Sequence, residues 1–141
     1  MNLGLISCTK SKQKDACSAA KMYEPSPLFS KAYRYALKKY DLIGILSAKH
    51  GLLLPEEIIE PYDQTLKTMR KKQKQKWAIR VNNELSLKFD IENISRVYIH
   101  AGKDYRGYLL PLIEHRKIEV EVPLEGLTYG RQLKWYKDRQ R

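Results

Sequence analysis

The chain has 141 residues, 43% hydrophobic and 30% charged, a size and balance that bury one core without metal or disulfide staples. Its 27 Lys and Arg against 16 Asp and Glu leave a formal net charge of +11, which points either to a polyanionic partner or to a lysine-rich solubilising surface. Cys8 and Cys17 make neither a disulfide framework nor a zinc-spaced set, and no apolar stretch approaches the roughly 20 residues that span a bilayer. The apolar run after Met1 is too short for a secretory signal, so the expectation is a cytoplasmic protein with no membrane partner.

Residues 3–8 read as a buried strand running into a polar loop, and residues 9–25 as loop. Ser26 with Pro27 makes a helix start, followed by Leu28, Phe29, Ala32, Tyr33, Ala36, Leu37 and Tyr40 at helical spacing. Leu42–Ser47 is a second buried strand, and residues 52–59 form an apolar excursion interrupted by Pro55. From Gln64 to about Lys88 the expectation is one long helix, with Leu66, Met69, Trp77, Val81 and Leu85 as its inner stripe. Arg96–Ala101 is a third strand, followed by Gly102 and a helix facing inward through Tyr105, Tyr108, Leu109, Leu112 and Ile113. Residues 118–122 are a fourth strand, and a basic helix surrounds Trp135. Strands alternating with helices predict a single α/β domain over residues 1–141, with three α/β/α layers around a mainly parallel four-stranded sheet. There is no internal repeat and no second domain.

Ligands of open α/β sheets bind beyond the carboxyl ends of the strands, which brings three distant segments together as a candidate pocket. The first carries Ser7, Cys8, Lys10 and Lys12, hydroxyl, thiol and ammonium groups suited to an anion, although the glycine framework of a P-loop is missing. Cys8 is either a nucleophile activated by its lysines or a small residue closing a strand. The second carries Ser47, Lys49, His50 and Gly51, where His50 suits proton transfer and Gly51 permits a close ligand approach. A plain strand-to-loop turn explains the same residues. The third carries His100, Gly102 and Tyr105, with His100 either a ligand or a hydrogen-bonded core residue.

Glu60-Pro61-Tyr62-Asp63 sets two carboxylates around a stiff proline, and a carboxylate aimed into a pocket serves as a general base. Asp63 also fits as the N-cap of the long helix. Residues 67–80 hold Lys67, Arg70, Lys71, Lys72, Lys74, Lys76 and Arg80 with no acid among them, a backbone-phosphate track or a solvated face. Trp77, Tyr105 and Tyr108 are base-stacking candidates whose spacing equally suits core packing. His50, His100 and His115 lack metal-site spacing, so neither a metal nor a cofactor is expected.

The segments Ile6-Ser7-Cys8 with Lys10 and Lys12, Met22-Tyr23 through Phe29, Ile45–Leu52, Ile59–Leu66, Ala101-Gly102 with Tyr105, and Pro123 through Trp135 resemble a family of small bacterial and phage proteins often labelled YaaA-like. That resemblance implies an architecture like the uracil-DNA-glycosylase-like domain, without the catalytic motifs of true uracil glycosylases. The resemblance supplies no settled reaction; the leading reading is N-glycosidic chemistry on a modified base, with nucleic acid or nucleotide as partner. Asp63 or Glu60 would activate water. Ser7, Ser47, Lys49 and His50 would hold base or phosphate, Tyr23 or Tyr62 would stack, and Lys67, Arg70, Lys71 and Lys74 would follow the backbone. The alternatives are a non-catalytic nucleic-acid-binding or inhibitory protein and a free-nucleotide binder. Oligomeric state is not legible.

Overall fold

The computed structural model describes residues 1–140. β1 (Asn2–Ser7) is apolar from Leu3 to Ile6 and buried throughout that run, the pattern of a strand covered on both faces. It accordingly lies at the centre of the main sheet, parallel to β3 (Leu42–Ser47) on one side and β6 (Arg96–His100) on the other. β7 (Glu119–Glu121) extends the sheet beyond β6 in parallel, and β4 (Gly51–Leu53) pairs antiparallel with β3 at the opposite edge. The order is β4-β3-β1-β6-β7. A separate two-stranded ribbon joins β2 (Cys17–Ser18) to β5 (Ile58–Ile59).

α2 (Pro27–Lys39) begins where the sequence places it, with Ser26 Oγ accepting the Phe29 N–H at 3.2 Å and Pro27 at the first helical position. Phe29, Ala32 and Ala36 are buried, whereas Leu37 faces solvent. α6 (Tyr129–Asp138) packs beside α2, and α3 (Lys71–Lys88) packs with α4 (Lys103–Arg106) and α5 (Leu109–Glu114). Two glycines in adjacent register rows show that these groups cover opposite faces. A Cβ on Gly4 would collide with Tyr40, just past α2, while one on Gly44 would meet Leu5, Leu52 and Phe89, just past α3. The result is a helix–sheet–helix sandwich.

Several expectations change. The main sheet has five strands, because residues 47–51 turn back and β4 pairs with β3. Gly51 makes this turn at φ +73°, where a Cβ would also strike Glu84 Oε1, the group that accepts the Leu52 N–H at 3.1 Å. Residues 9–25 are not all loop, since they contain β2 and the one-turn helix α1 (Ala19–Met22). The long helix starts at Lys71, not at Gln64. Leu66 is fully buried in a 3-10 turn (Leu66–Thr68) whose Lys67 N–H is accepted by Thr65 Oγ1 at 3.2 Å, so Asp63 caps no helix. Arg70, Lys71 and Lys72 therefore sit at the positive end of the α3 dipole, with no acid in the first turn to offset them. After Gly102 there are two short helices, because Pro111 offers no N–H to Gly107 and its ring excludes that carbonyl.

Candidate functional site

The chain passes from β1 to β3 on one side of the sheet and then crosses to β6 on the other, so strand order reverses at β1. A cleft of about 790 Å³ opens at that switch point, between the Ser7–Lys12 loop after β1 and residues 100–106 after β6. Its size suits one small organic ligand. The apolar side is made by Leu28 and Phe29 of α2, together with Leu124. Lys10, Lys12, Lys67 and Arg106 line the polar side, with Arg106 Nη1 held by the Ala101 carbonyl at 2.9 Å. Two carboxylates join them. Asp104 is neutralised by Lys74 at 2.8 Å, whereas Asp63 makes no ion pair among the described residues.

Of the sequence candidates, Ser7, Cys8, Lys10, Lys12, Asp63, Lys67, Gly102 and Tyr105 line this cleft. Cys8 is buried, and its thiol donates to the Tyr105 hydroxyl at 3.4 Å, while burial and the nearby thiol raise the Tyr105 pKa. Lys12 Nζ sits 4.7 Å from the centre of the Tyr62 ring.

A second group lies behind the cleft and does not line it. Ser47 Oγ accepts the His50 N–H at 3.0 Å and donates to the Tyr62 oxygen at 2.8 Å, and Tyr62 meets the Tyr23 hydroxyl at 2.7 Å. Trp77 Nε1 donates to the Ser47 carbonyl at 2.8 Å. Burial pushes Tyr23 up to about 12 and Tyr62 higher still, so both phenols stay protonated. Arg80 draws the turn away by donating to the carbonyls of Lys49 and His50, each at 3.0 Å. His50 packs edge-on against Tyr62, and its Nε2 is buried without a partner among the described residues. Burial and the cations Lys49 and Arg80 lower the His50 pKa. Glu60, Arg70 and Lys71 are exposed outside the cleft, as Gly51 is buried outside it.

Residues that sequence reasoning passed over include Arg106, Thr65, Gln132 and Tyr129, which all line the cleft. Tyr129 follows the Gly126 loop, and an aromatic beside glycines was the available signal. Arg106 carried none.

His100 proves to be a core histidine at the cleft wall. Its Nδ1 pairs with the Tyr136 hydroxyl at 2.7 Å and its Nε2 with the Tyr40 hydroxyl at 2.5 Å. A neutral ring satisfies both, donating from one nitrogen and accepting at the other. Burial lowers its pKa from the ordinary 6.5 to about 4. The unfolded chain therefore takes up a proton that the folded one refuses, and stability present above the ordinary value is lost as pH falls through that window. Urea unfolding at about pH 7 and about pH 4.5 should show the wild type losing roughly 2–3 kcal/mol more than His100→Gln. Equal losses would show that another group titrates.

Among the described residues no group of three His, Cys, Asp or Glu side chains could hold a metal, and no helix is long and apolar enough to cross a membrane. A family model described as "Family of unknown function (DUF6884)" matches residues 3–138, and the chain belongs to that family. Neither the curated proteins nor the solved structures contain a match.

Proposed function

We propose that this member of the family binds a nucleotide unit in the switch-point cleft and cleaves its N-glycosidic bond, the substrate being a modified base in nucleic acid. The observation that carries the reading is the composition of the cleft lining, four cations and one carboxylate without an ion pair among the described residues, together with an apolar wall. A sugar phosphate needs the first, a flat base needs the last, and Asp63 stands between them in chemistry. In this reading Lys10, Lys12, Lys67 and Arg106 hold phosphate. The Asp63 carboxylate takes a proton from water as its oxygen attacks the anomeric carbon. The C–N bonding pair leaves with the base, which is protonated from solvent. The resemblance to YaaA-like proteins, and through them to the uracil-DNA-glycosylase-like architecture, adds weight as analogy only.

Glu60 and His50, the other two catalytic candidates, take no part in this mechanism because neither lines the cleft. Ser47, Tyr23 and Tyr62 support the cleft from behind. A second reading, non-catalytic nucleic-acid binding, is favoured by one observation, the exposed Arg70, Lys71 and Lys72 outside the cleft.

The deciding experiment measures binding to DNA and RNA, single- and double-stranded, over a salt series, with mass spectrometry of released bases. Salt-sensitive binding with base release is the expected result. Binding without release on base-modified substrates would favour the second reading. No binding and no release would remove both.

A further inference from the structure

The cleft has the volume for one nucleotide unit, and basic residues continue along the chain beyond two of the segments that line it. On one side Lys67 lines the cleft, and Arg70, Lys71 and Lys72 follow it, all exposed. From residue 64 to 83 there is no acid. On the other side α6 places Tyr129 and Gln132 in the cleft wall, and its exposed Arg131, Lys134 and Lys137 continue the charge, against a single acid, Asp138. A free nucleotide fills the cleft and leaves both flanks unused, whereas a longer strand engages them.

The aromatic residues of the cleft divide sharply. Phe29, Tyr105 and Tyr136 are buried, and Tyr23 and Tyr62 are committed to the network behind it. Among the described aromatic side chains that line the cleft, Tyr129 is the exposed one, 56% accessible. Its backbone is fixed, because Thr128 Oγ1 accepts the Arg131 N–H at 3.4 Å and Gln132 Nε2 donates to the Leu127 carbonyl at 3.0 Å. A solvent-facing aromatic ring on a capped helix start, in a cleft lined by basic residues, is suited to stack a base while the backbone meets the cations.

Building on the nucleotide-cleaving reading above, we propose that the substrate is a single-stranded polynucleotide, with one base stacked on Tyr129 and its backbone lying across both basic flanks. A base in a duplex would first have to leave its stack, and that cost falls on the enzyme. A single strand presents its bases already free.

The test is fluorescence anisotropy with a labelled strand of about 12 nucleotides, DNA and RNA in separate arms, against the matching duplex and a mononucleotide. The strand should bind at least roughly tenfold more tightly than either competitor, with a salt slope that Lys134→Glu combined with Arg131→Glu makes shallower. Tyr129→Ala should weaken strand binding roughly 5- to 100-fold and Tyr129→Phe should restore it, with thermal unfolding confirming that both variants fold. Duplex binding as tight as strand binding, or an unchanged affinity in Tyr129→Ala, would overturn the inference. If the mononucleotide binds equally well and releases its base, this proposal fails, while N-glycosidic cleavage in the cleft stands with a free nucleotide as its substrate. If no probe binds and no base is released, both fail.

Discussion

Asp63→Asn should slow base release by roughly 10²- to 10⁴-fold, the range a positioned general base contributes, while ligand affinity changes little. The exchange keeps the shape but removes the negative charge and the ability to take a proton, and it turns one acceptor oxygen into a donor. Asp63 is exposed, caps no helix and makes no ion pair among the described residues, so the variant should fold with stability within about 0.5 kcal/mol of the wild type. Glu60→Gln is the internal control, because Glu60 lies outside the cleft and its loss should leave the rate unchanged. Single-turnover rates measured by mass spectrometry separate chemistry from binding. A folded Asp63→Asn protein that still releases base at the wild-type rate would remove the carboxylate from the mechanism.

Trp77→Ala should be the most damaging single change to the fold, costing about 3–5 kcal/mol through lost burial and the cavity left behind. Trp77 is 6% exposed, packs edge-on against Tyr105 and donates to the Ser47 carbonyl. Removing it also takes the indole donor from that carbonyl. The midpoint of thermal unfolding should fall by roughly 10–20 °C. Trp77→Phe separates the two contributions, since it keeps most of the apolar area and loses only the hydrogen bond, for about 1–2 kcal/mol. A loss under about 1 kcal/mol in Trp77→Ala would mean that α3 is held to the sheet by other contacts.

The consequence of Trp77 reaches the site. It fixes the carboxyl end of β3, from which Ser47 supports Tyr62, and Lys12 of the cleft rests over the Tyr62 ring. The residues behind the cleft thus position those in front.

Much of this was readable from residue order. Leu3–Ile6 and Leu42–Ser47 are apolar runs too short for helices, and they became central strands. Ser26-Pro27 marked the start of α2, and Trp77, Val81 and Leu85 marked the inner stripe of α3. The polar loop after β1 and Gly102 with Tyr105 after β6 are expected at one edge of the sheet, where parallel strands end, and both line the cleft.

What order alone did not determine was which strand ends open into a cavity. Ser47–Gly51 has the same polar character as Ser7–Lys12, yet it turns back into β4 and is pinned by Trp77 and Arg80, contacts about 30 residues distant in sequence. Likewise Asp63 fits a helix cap by local pattern. It is left free because burying Leu66 displaces the helix start to Lys71. Hydrophobic period and capping are local energies and can be read along the chain. The reversal of strand order at β1, which decides where the cleft opens, arises from packing between segments far apart in sequence, and only the folded chain brings those together.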